Sequence, residues 1–192
     1  MLKIADYSIS DRLYESSQSI VYRAVRAGST TPVILKTLKY AYPSPEKIAW
    51  FRREYEIINN LNLPGVVKAY DFNNDQNLWF IVFEDFGAES LKQLMPTFKF
   101  GVGEFLPIAI KVVDALAQVH QQYIIHKDIN PANIIFNPNT DRIKLIDFGI
   151  STVLEREIST PRNPDRLEGT LAYISPEQIG RASCRERVWS DV

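Results

Sequence analysis

The hydrophobic pattern changes its period near residue 87, and this change limits the possible folds more than any other feature of the sequence. Before it, short β-rich segments are separated by turn signals such as AGSTTP and FNNDQN. After it, apolar residues follow one another at intervals of three and four, as in an amphipathic helix. The pattern predicts an α+β protein with a small β-rich first part and a mainly helical second part. We place the hinge between them in EDFGAES, residues 84–90.

Single elements can be predicted within both parts. Four segments of the first part predict strands: Ser19–Arg26, Val33–Leu38, Val66–Asp71 and Leu78–Glu84. One helix interrupts them, with Ser44 as N-cap, Pro45 in its first turn, and the inward stripe Ile48, Phe51, Tyr55 and Ile58. In the second part, a helix over 105–121 has the stripe Leu106, Ala109, Ile110, Val113, Leu116 and Ala117. His120 follows that stripe and is predicted as a core histidine.

Composition mainly excludes classes of protein. With 192 residues, 45% of them hydrophobic, and a net charge of -1, the chain resembles an ordinary globular protein with no sign of a nucleic-acid or membrane partner. The single cysteine, Cys184, has no second cysteine to pair with. The start MLKIADYSIS has no signal-peptide pattern, and no apolar run approaches the eighteen residues of a membrane span. A cytoplasmic location is therefore the default expectation.

Two charged residues occupy positions where apolar residues are expected. Glu54 lies three residues after Phe51 and four before Ile58, on the inward stripe of the helix, while Lys36 ends the apolar run Val33–Leu35. Because an unpaired charge is costly to bury, one interpretation is that Lys36 on a strand faces Glu54 on the helix packed over it. The alternative is that both are surface side chains whose charged ends reach water.

Polar residues also follow short apolar segments in the second part. The string IIHKDINPANIIF, residues 124–136, holds Asp128 and Asn133 between apolar flanks, and the strand Ile143–Ile146 ends at Asp147. We expect these three side chains at the ends of neighbouring strands. The amide oxygen of Asn133 and the carboxylate of Asp147 are hard ligands that suit Mg²⁺. Asp128 would then be available to orient or deprotonate a substrate hydroxyl.

At this point several strings resemble the motifs of protein kinases. HKDINPAN is similar to the catalytic loop H-R-D-L-x-x-x-N, DFG at 147–149 to the metal-binding motif, VILK at 33–36 to V-A-I-K, and SPE at 175–177 to A-P-E. Their order and spacing agree along residues 9–180. The resemblance implies a bilobal kinase-like fold, with an N-lobe at 1–86 and a partial C-lobe at 87–180. IHKDINPANIIFN and GTLAYISPEQIGR further resemble the amino-terminal kinase domain of multi-sensor bacterial signalling proteins, as found in cyanobacteria.

The resemblance also implies the roles of the charged residues. Lys36 would contact the α- and β-phosphates of ATP and would be held by Glu54. Asp147 and Asn133 would hold Mg²⁺, and Asp128 would accept the proton of the substrate hydroxyl.

A second set of residues is assigned by the same resemblance. The main-chain groups of Glu84 and Phe86 would meet the adenine edge, Phe83 would close the back of that pocket, and Val21 would line it. Thr170, in GTLAY, matches the threonine that serine/threonine kinases place beside the catalytic loop. The implied partner is a protein substrate with a serine or threonine acceptor.

The chain departs from the kinase pattern at the phosphate-binding loop. Tyr14, Ser16 and Ser19 stand where the family has three glycines, which let the backbone approach the phosphates. We expect weakened nucleotide binding, in which the hydroxyls of Ser16 and Ser19 donate to phosphate oxygens.

The catalytic loop departs from the pattern too. Asn130 replaces a lysine that neutralises the transferred phosphoryl group, a loss worth roughly 10²–10³ in rate. Lys127 replaces the arginine that reads a phosphorylated activation loop, so regulation through Ser159 or Thr160 is not favoured over a plain solvated loop. His126 is predicted to be a structural anchor.

After SPEQIGR the family pattern stops, and residues 181–192 are expected to be a non-native or out-of-frame tail. Because further C-lobe helices are then missing, the helix at 105–121 is expected to expose apolar surface. Three functions stay open: a serine/threonine protein kinase; a pseudokinase that binds nucleotide or a partner without catalysis; and a small-molecule kinase of the aminoglycoside-phosphotransferase type. GTLAYISPE favours a protein substrate over the third.

Overall fold

The computed structural model describes residues 3–40, 42–97, 101–153 and 170–173. Its first part is an antiparallel sheet with the strand order β1-β2-β3-β4-β6-β5. The strands are β1 (Lys3–Ile4), β2 (Tyr7–Glu15), β3 (Ser19–Arg26), β4 (Pro32–Leu38), β5 (Ala69–Asp75) and β6 (Leu78–Glu84). β3 and β6 have the predicted bounds, β4 begins one residue earlier, and β5 begins at Ala69 instead of Val66.

The sequence did not predict β1 or β2. β1 is only two residues long. In β2, register shifts between Ile9 and Asp11 and between Arg12 and Tyr14 interrupt the pairing with β3. Each irregularity moves the following side chains to the opposite face, so β2 lacks the strict alternation by which a strand is recognised in a sequence.

Helix α1 (Pro45–Leu61) packs on β5 of this sheet. The side chain of Ser44 accepts a hydrogen bond from the Lys47 amide, so Ser44 is the N-cap that the sequence predicts. The helix buries one face, formed by Phe51, Glu54, Ile57, Ile58 and Leu61. Glu54 is the only charged residue of α1 on this buried face.

The second part combines helices with short strands, in agreement with the predicted α+β, kinase-like fold. Its described elements are β7 (Glu89–Ser90), α2 (Leu91–Leu94), α3 (Val102–Gln121), β8 (Ile124–Ile125), β9 (Ile134–Asn137), β10 (Arg142–Leu145), β11 (Thr152–Val153) and a 3₁₀ turn (Leu171–Tyr173). β9 lies between β10 and β7, and β8 pairs with β11. No described helix is long and apolar enough to cross a bilayer.

Residues 65–67 join the two parts. Val67 N–H donates to Leu145 O at 3.0 Å, and Leu145 N–H donates to Gly65 O at 2.8 Å, so this segment pairs with β10. A Cβ atom at Gly65 would lie 2.5 Å from the Cβ of Ala115 on α3, which makes glycine necessary for this close approach. The end of β10 is thereby fixed against both the first part and α3.

The predicted stripe of α3 points largely outward. Leu106, Ile110 and Val113 are 51%, 60% and 63% exposed, whereas Ile108, Ala115 and Val119 are buried. Because α3 is apolar on more than one side, the period alone could not identify its buried face. His120 is exposed, so its prediction as a core histidine is wrong. The expectation that this helix exposes apolar surface is confirmed.

The exposed face of α3 should cause self-association. Replacing Ile110 and Val113 together by lysine removes apolar surface from that face, and lysine is a good helix former. We expect less self-association in sedimentation velocity at rising concentration, with an unfolding free energy changed by less than about 1 kcal/mol. Lysines at the exposed Gln121 and Gln122 add the same charge and serve as the control. Equal association of all three chains would contradict this prediction.

Candidate active site

Lys36 and Glu54 form an ion pair in the structure. The Lys36 ammonium lies 2.7 Å from Oε1 and 2.8 Å from Oε2 of Glu54. Lys36 projects from β4 and Glu54 from the buried face of α1, so the pair joins the sheet to the helix. Two charges that would be costly to bury singly therefore satisfy each other.

Asp147 completes this charge cluster from the second part of the chain. Its Oδ1 lies 3.1 Å from the Lys36 ammonium. Its backbone has a φ of 65°, an uncommon value for a residue other than glycine, two residues after the end of β10. The next residue, Phe148, is fully buried with its ring 4.5 Å from that of His126. The buried ring anchors the turn that aims Asp147 at Lys36.

The three charges affect one another's pKa. Burial alone would lower the pKa of Lys36, but the carboxylates of Asp147 and Glu54 raise it above its ordinary value. The Lys36 ammonium holds the pKa of Asp147 below its usual range. Burial raises the pKa of Glu54 to about 7, against the lowering effect of Lys36. Because one ammonium faces two carboxylates, the cluster favours a further cation.

His126 anchors the loop that carries Asp128. Its Nδ1 accepts a hydrogen bond from the Asp128 amide at 3.3 Å, and its Nε2 donates to Ile146 O at 3.0 Å. The side chain is buried, and burial lowers its pKa, so the ring is held neutral. His126 therefore positions the loop against the residue that precedes Asp147, as predicted for a structural anchor.

The Asp128 carboxylate is oriented by donors on both sides. Thr170 donates to its Oδ1 through the main-chain N–H at 2.8 Å and the hydroxyl at 2.7 Å. Asn133 Nδ2 donates to its Oδ2 at 2.9 Å and to its main-chain oxygen at 2.9 Å. Three donors thus fix the position of the carboxylate.

The backbone of Asn133 is bonded to the residue that precedes Asp147. Its carbonyl accepts from the Ile146 amide at 3.0 Å, which continues the pairing of β9 with β10 by one step. Because its amide nitrogen is directed at Asp128, the amide oxygen is the atom with which this side chain can bind a cation. In the described part of the chain, no group of three or more His, Cys, Asp or Glu could hold a metal. One carboxylate and one amide oxygen suit Mg²⁺, which usually keeps waters and phosphate oxygens as its other ligands.

Asn130 has a structural role instead of facing the cavity. Its Nδ2 donates to Asp128 O and to Thr170 Oγ1, both at 3.2 Å, and its Oδ1 accepts from the Ala132 amide at 2.9 Å. The side chain is buried. A lysine at this position would carry its charge well beyond these partners, whereas the short amide links the loop to Thr170.

One cavity, of about 660 Å³, brings together most of the predicted site residues. The predicted residues in its lining are Ser16, Ser19, Lys36, Glu54, Asp128, Asp147 and Thr170. Asn130 and Asn133 are buried and do not line it, and neither do Val21, Phe83, Glu84 and Phe86. The N-terminal turn of α1 lines the far side with Ser44, Glu46 and Lys47. The cavity is thus where the charged side chains of both parts meet.

The turn between β2 and β3 lines one side of this cavity with residues 16–19. Its Ser16 hydroxyl accepts hydrogen bonds from the Ser19 amide at 2.9 Å and from the Gln18 amide at 3.1 Å. The Ser16 amide donates to Ser19 O at 2.8 Å. The Ser16 hydroxyl is therefore engaged within its own turn.

The predicted adenine-binding segment is tied to both parts of the chain by residues that the sequence analysis missed. Glu84 receives hydrogen bonds from the Lys68 amide, at 2.7 Å, and from the buried Lys144 of β10. Asp85 accepts from Arg23 Nε at 2.6 Å. Together with Phe86, whose carbonyl is also hydrogen-bonded, Glu84 and Asp85 form a run of three fixed residues.

Asn137 holds Phe86. Its Nδ2 donates to Phe86 O at 2.5 Å, and its Oδ1 accepts from the amides of Asn139 and Thr140. Gly87 follows with a φ of 70°, and a Cβ atom there would lie 3.2 Å from Asn137 Nδ2. A charged residue inside the apolar string RIKLI was a signal for Lys144, the same signal that identified Lys36. Nothing in the sequence singles out Asn137.

Several predicted features lie outside the described residues. They are Ser159 and Thr160, the string SPE at 175–177, Cys184 and the tail at 181–192.

Comparisons with known proteins agree on one family. The model of the protein kinase domain matches residues 2–191. The serine/threonine-protein kinase PrkC of Bacillus subtilis is 34% identical over 148 residues, which cover 76% of this chain and 22% of PrkC. PknL of Mycobacterium tuberculosis is 30% identical over 192 residues, or 96% of this chain and 46% of PknL. The serine/threonine-protein kinase pkn3 of Myxococcus xanthus is 30% identical, over 90% of this chain and 33% of its own length. The chain thus spans less than half the length of these relatives.

Loss of Lys144 should destabilise the protein. Lys144→Met leaves the Glu84 carboxylate partly buried without its cation, and we expect the unfolding free energy to fall by about 3 kcal/mol in urea denaturation. Adding Glu84→Gln should recover part of this loss, because the buried charge is then removed. Lys92→Met, at an exposed lysine, is the control. An equal effect of both lysine substitutions would refute the role of the pair.

His126 should make stability depend on pH. The folded protein keeps His126 neutral, whereas the unfolded chain binds a proton near the ordinary pKa of 6.5. The contribution of His126 to the unfolding free energy should therefore fall as the pH decreases below about 6.5, by up to about 1.4 kcal/mol per pH unit. Glu54, whose pKa is raised to about 7, contributes a slope of the opposite sign, so the quantity to compare is the difference between the wild type and each variant. In urea denaturation at several pH values, this difference should change with pH for His126→Gln but not for His120→Gln, at the other, exposed histidine, and equal pH dependence of both variants would disprove the assignment.

Proposed function

This chain belongs to the protein kinase family, and on that premise we propose that it transfers the γ-phosphoryl group of ATP to a serine or threonine hydroxyl of a protein substrate. The observation that carries the proposal is the cavity in which Lys36, Asp128 and Asp147 meet. A cation for phosphates, a carboxylate for a divalent metal and a carboxylate for a hydroxyl are the parts that phosphoryl transfer needs.

The phosphates would bind at Lys36. Its ammonium stays charged between Glu54 and Asp147, so it can donate hydrogen bonds to phosphate oxygens without a change of protonation. Glu54 is the positioning residue, because its buried carboxylate holds the ammonium within the cavity lining. The positive charge of Lys36 then stabilises negative charge that develops on the leaving phosphate.

The donor set fits Mg²⁺, which Asp147 and the amide oxygen of Asn133 would hold. When bound, Mg²⁺ neutralises phosphate charge during transfer. Asp147 is suited to this role because the depressed pKa of its carboxyl group keeps it ionised. Asn133 is suited to it because its nitrogen is bound to Asp128.

Asp128 would act on the acceptor hydroxyl. Its carboxylate is fixed by Thr170 and Asn133, so it can orient the hydroxyl and receive its proton as the phosphoryl group transfers. The position of Thr170 beside this carboxylate supports serine or threonine as the acceptor, as do the names of the relatives, which are serine/threonine-protein kinases.

The adenine base would bind along the segment of Phe83, Glu84 and Phe86. The main chain of Glu84 and Phe86 would contact the adenine edge, with Phe83 behind it and Val21 above. This assignment is supported by the side chains that hold the segment in place, since a fixed backbone binds with less loss of entropy. The proposal includes a role in signalling and a cytoplasmic location, where ATP is supplied.

A pseudokinase is the second candidate, and two observations favour it. The neutral side-chain amide of Asn130 donates to the loop and to Thr170, so this position offers no positive charge to the transferred phosphoryl group. The Ser16 hydroxyl is bound inside its own turn. A chain with these features could bind nucleotide without transferring phosphate.

Phosphoryl transfer is tested with ATP labelled in its γ-phosphate and a mixture of protein acceptors. Asp128→Asn should lower the rate by about 10²–10⁴ while nucleotide binding persists, because the base is lost and Lys36 and Asp147 are unchanged. Asp114→Asn, at an exposed carboxylate of α3, makes the same chemical change away from the cavity and should keep the wild-type rate. If the wild-type chain binds nucleotide but transfers no phosphate, the result supports the pseudokinase.

A further inference from the structure

We propose that the Ser16 hydroxyl competes with nucleotide phosphates for the amide donors of the β2–β3 turn, so that it weakens nucleotide binding. This inference rests on the proposed function, because it assumes that the cavity binds a nucleotide. It reverses the expectation from the sequence, in which Ser16 donates to phosphate oxygens.

The hydrogen bonds of the turn show what the hydroxyl does. Ser16 Oγ accepts from the amides of Gln18 and Ser19, at 3.1 and 2.9 Å. Its own proton has Ser19 O at 3.2 Å and Ser19 Oγ at 3.1 Å as acceptors within the turn. The hydroxyl oxygen thus occupies the place that an anion takes in a nest of successive backbone amides.

These amides lie where phosphates are expected. Residues 16–19 line the same cavity as Lys36 and Asp147, from the side of the sheet. Phosphate oxygens bound at Lys36 would therefore come close to the turn. The amides of Gln18 and Ser19 can donate to phosphate only if their hydrogen bonds to the Ser16 hydroxyl oxygen are broken.

The turn does not depend on this hydroxyl for its shape. The Ser16 amide donates to Ser19 O at 2.8 Å, and the Lys39 amide donates to Gln18 O at 2.9 Å. On either side, Glu15 pairs with Ile20, and Ser19 pairs with Leu38 of β4. Removal of Oγ should therefore expose two amides on a turn that keeps its position.

The expected effect has a direction opposite to that of most binding-site substitutions. In the wild type, a phosphate gains two amide bonds only by displacing two existing bonds, whereas in Ser16→Ala the amides are bonded to water. Each intramolecular hydrogen bond changes an equilibrium by about fivefold, so we expect Ser16→Ala to bind phosphate-bearing nucleotide more tightly, by about fivefold if one amide is freed and about 25-fold if both are. Adenosine has no phosphate and should bind equally to both proteins.

The experiment compares the wild type, Ser16→Ala and Ser29→Ala by isothermal titration with a non-hydrolysable ATP analogue in Mg²⁺ and with adenosine. Ser29 is exposed, lies outside the cavity lining, and its hydroxyl also accepts a hydrogen bond from a turn amide, that of Thr31 at 3.1 Å, so it is the matched control, for which no change is expected. Tighter binding of the analogue by Ser16→Ala alone, with adenosine unchanged, would support the inference. The inference would be overturned if Ser16→Ala bound the ATP analogue as weakly as the wild type or more weakly, or if its affinity for adenosine rose equally. It would also be overturned if neither the wild type nor Ser16→Ala bound the analogue.

Amide hydrogen exchange of the free chain gives a second, ligand-independent measurement. The amides of Gln18 and Ser19 should exchange faster in Ser16→Ala than in the wild type, while the amide of Lys39 should keep its rate. Equal exchange of Gln18 and Ser19 in both proteins would show that the hydroxyl does not occupy them. Neither measurement uses phosphoryl transfer, so a chain that binds nucleotide as expected but transfers nothing contradicts the proposed function alone.

Discussion

The ammonium of Lys36 is the interaction on which the rest of the site depends. It bonds Glu54 of α1 and Asp147 after β10, and so joins three segments that are far apart in the sequence. Without this cation, the buried carboxylate of Glu54 and the half-exposed carboxylate of Asp147 would face each other with no charge between them to offset their repulsion. The Lys36 ammonium determines the geometry of the cluster and is also available to phosphate oxygens. One group therefore has both a structural role and a role in the proposed chemistry.

A second constraint brings the loop of Asp128 to this cluster. The segment 65–67 pairs with Leu145, and the Ile146 backbone is bonded on one side to Asn133 and on the other to His126. Because both polar groups of Ile146 are used in this way, Asp147 must follow in a fixed direction. The loop of Asp128 and the charge cluster are thus related through the two polar groups of the Ile146 main chain, one bonded to the Asn133 carbonyl and the other to the His126 side chain.

The sequence predicted what depends on burial and missed what depends on local backbone geometry. The bounds of β3 and β6 follow from their apolar patterns, and the Lys36–Glu54 pair follows from the cost of a buried charge. β2 was missed because its pairing is irregular. The buried face of α3 was predicted wrongly because the helix is apolar on more than one side. The contact of Asn137 with Phe86 could not be predicted, since it depends on how β9 meets a segment fifty-one residues earlier.

Two departures from the kinase pattern have a common physical basis. Where the family uses a glycine and a lysine, this chain has Ser16 and Asn130, and both short polar side chains bond to nearby backbone amides instead of reaching into the cavity. Such bonds cost little conformational entropy, since donor and acceptor lie two or three residues apart. At Ser16, the free protein thereby satisfies two amides of the cavity lining, whereas Asn130 is not part of that lining. On the proposed function, a nucleotide would exchange the Ser16 bonds for its own, which charged phosphate oxygens can do because their hydrogen bonds are stronger than those of a neutral hydroxyl.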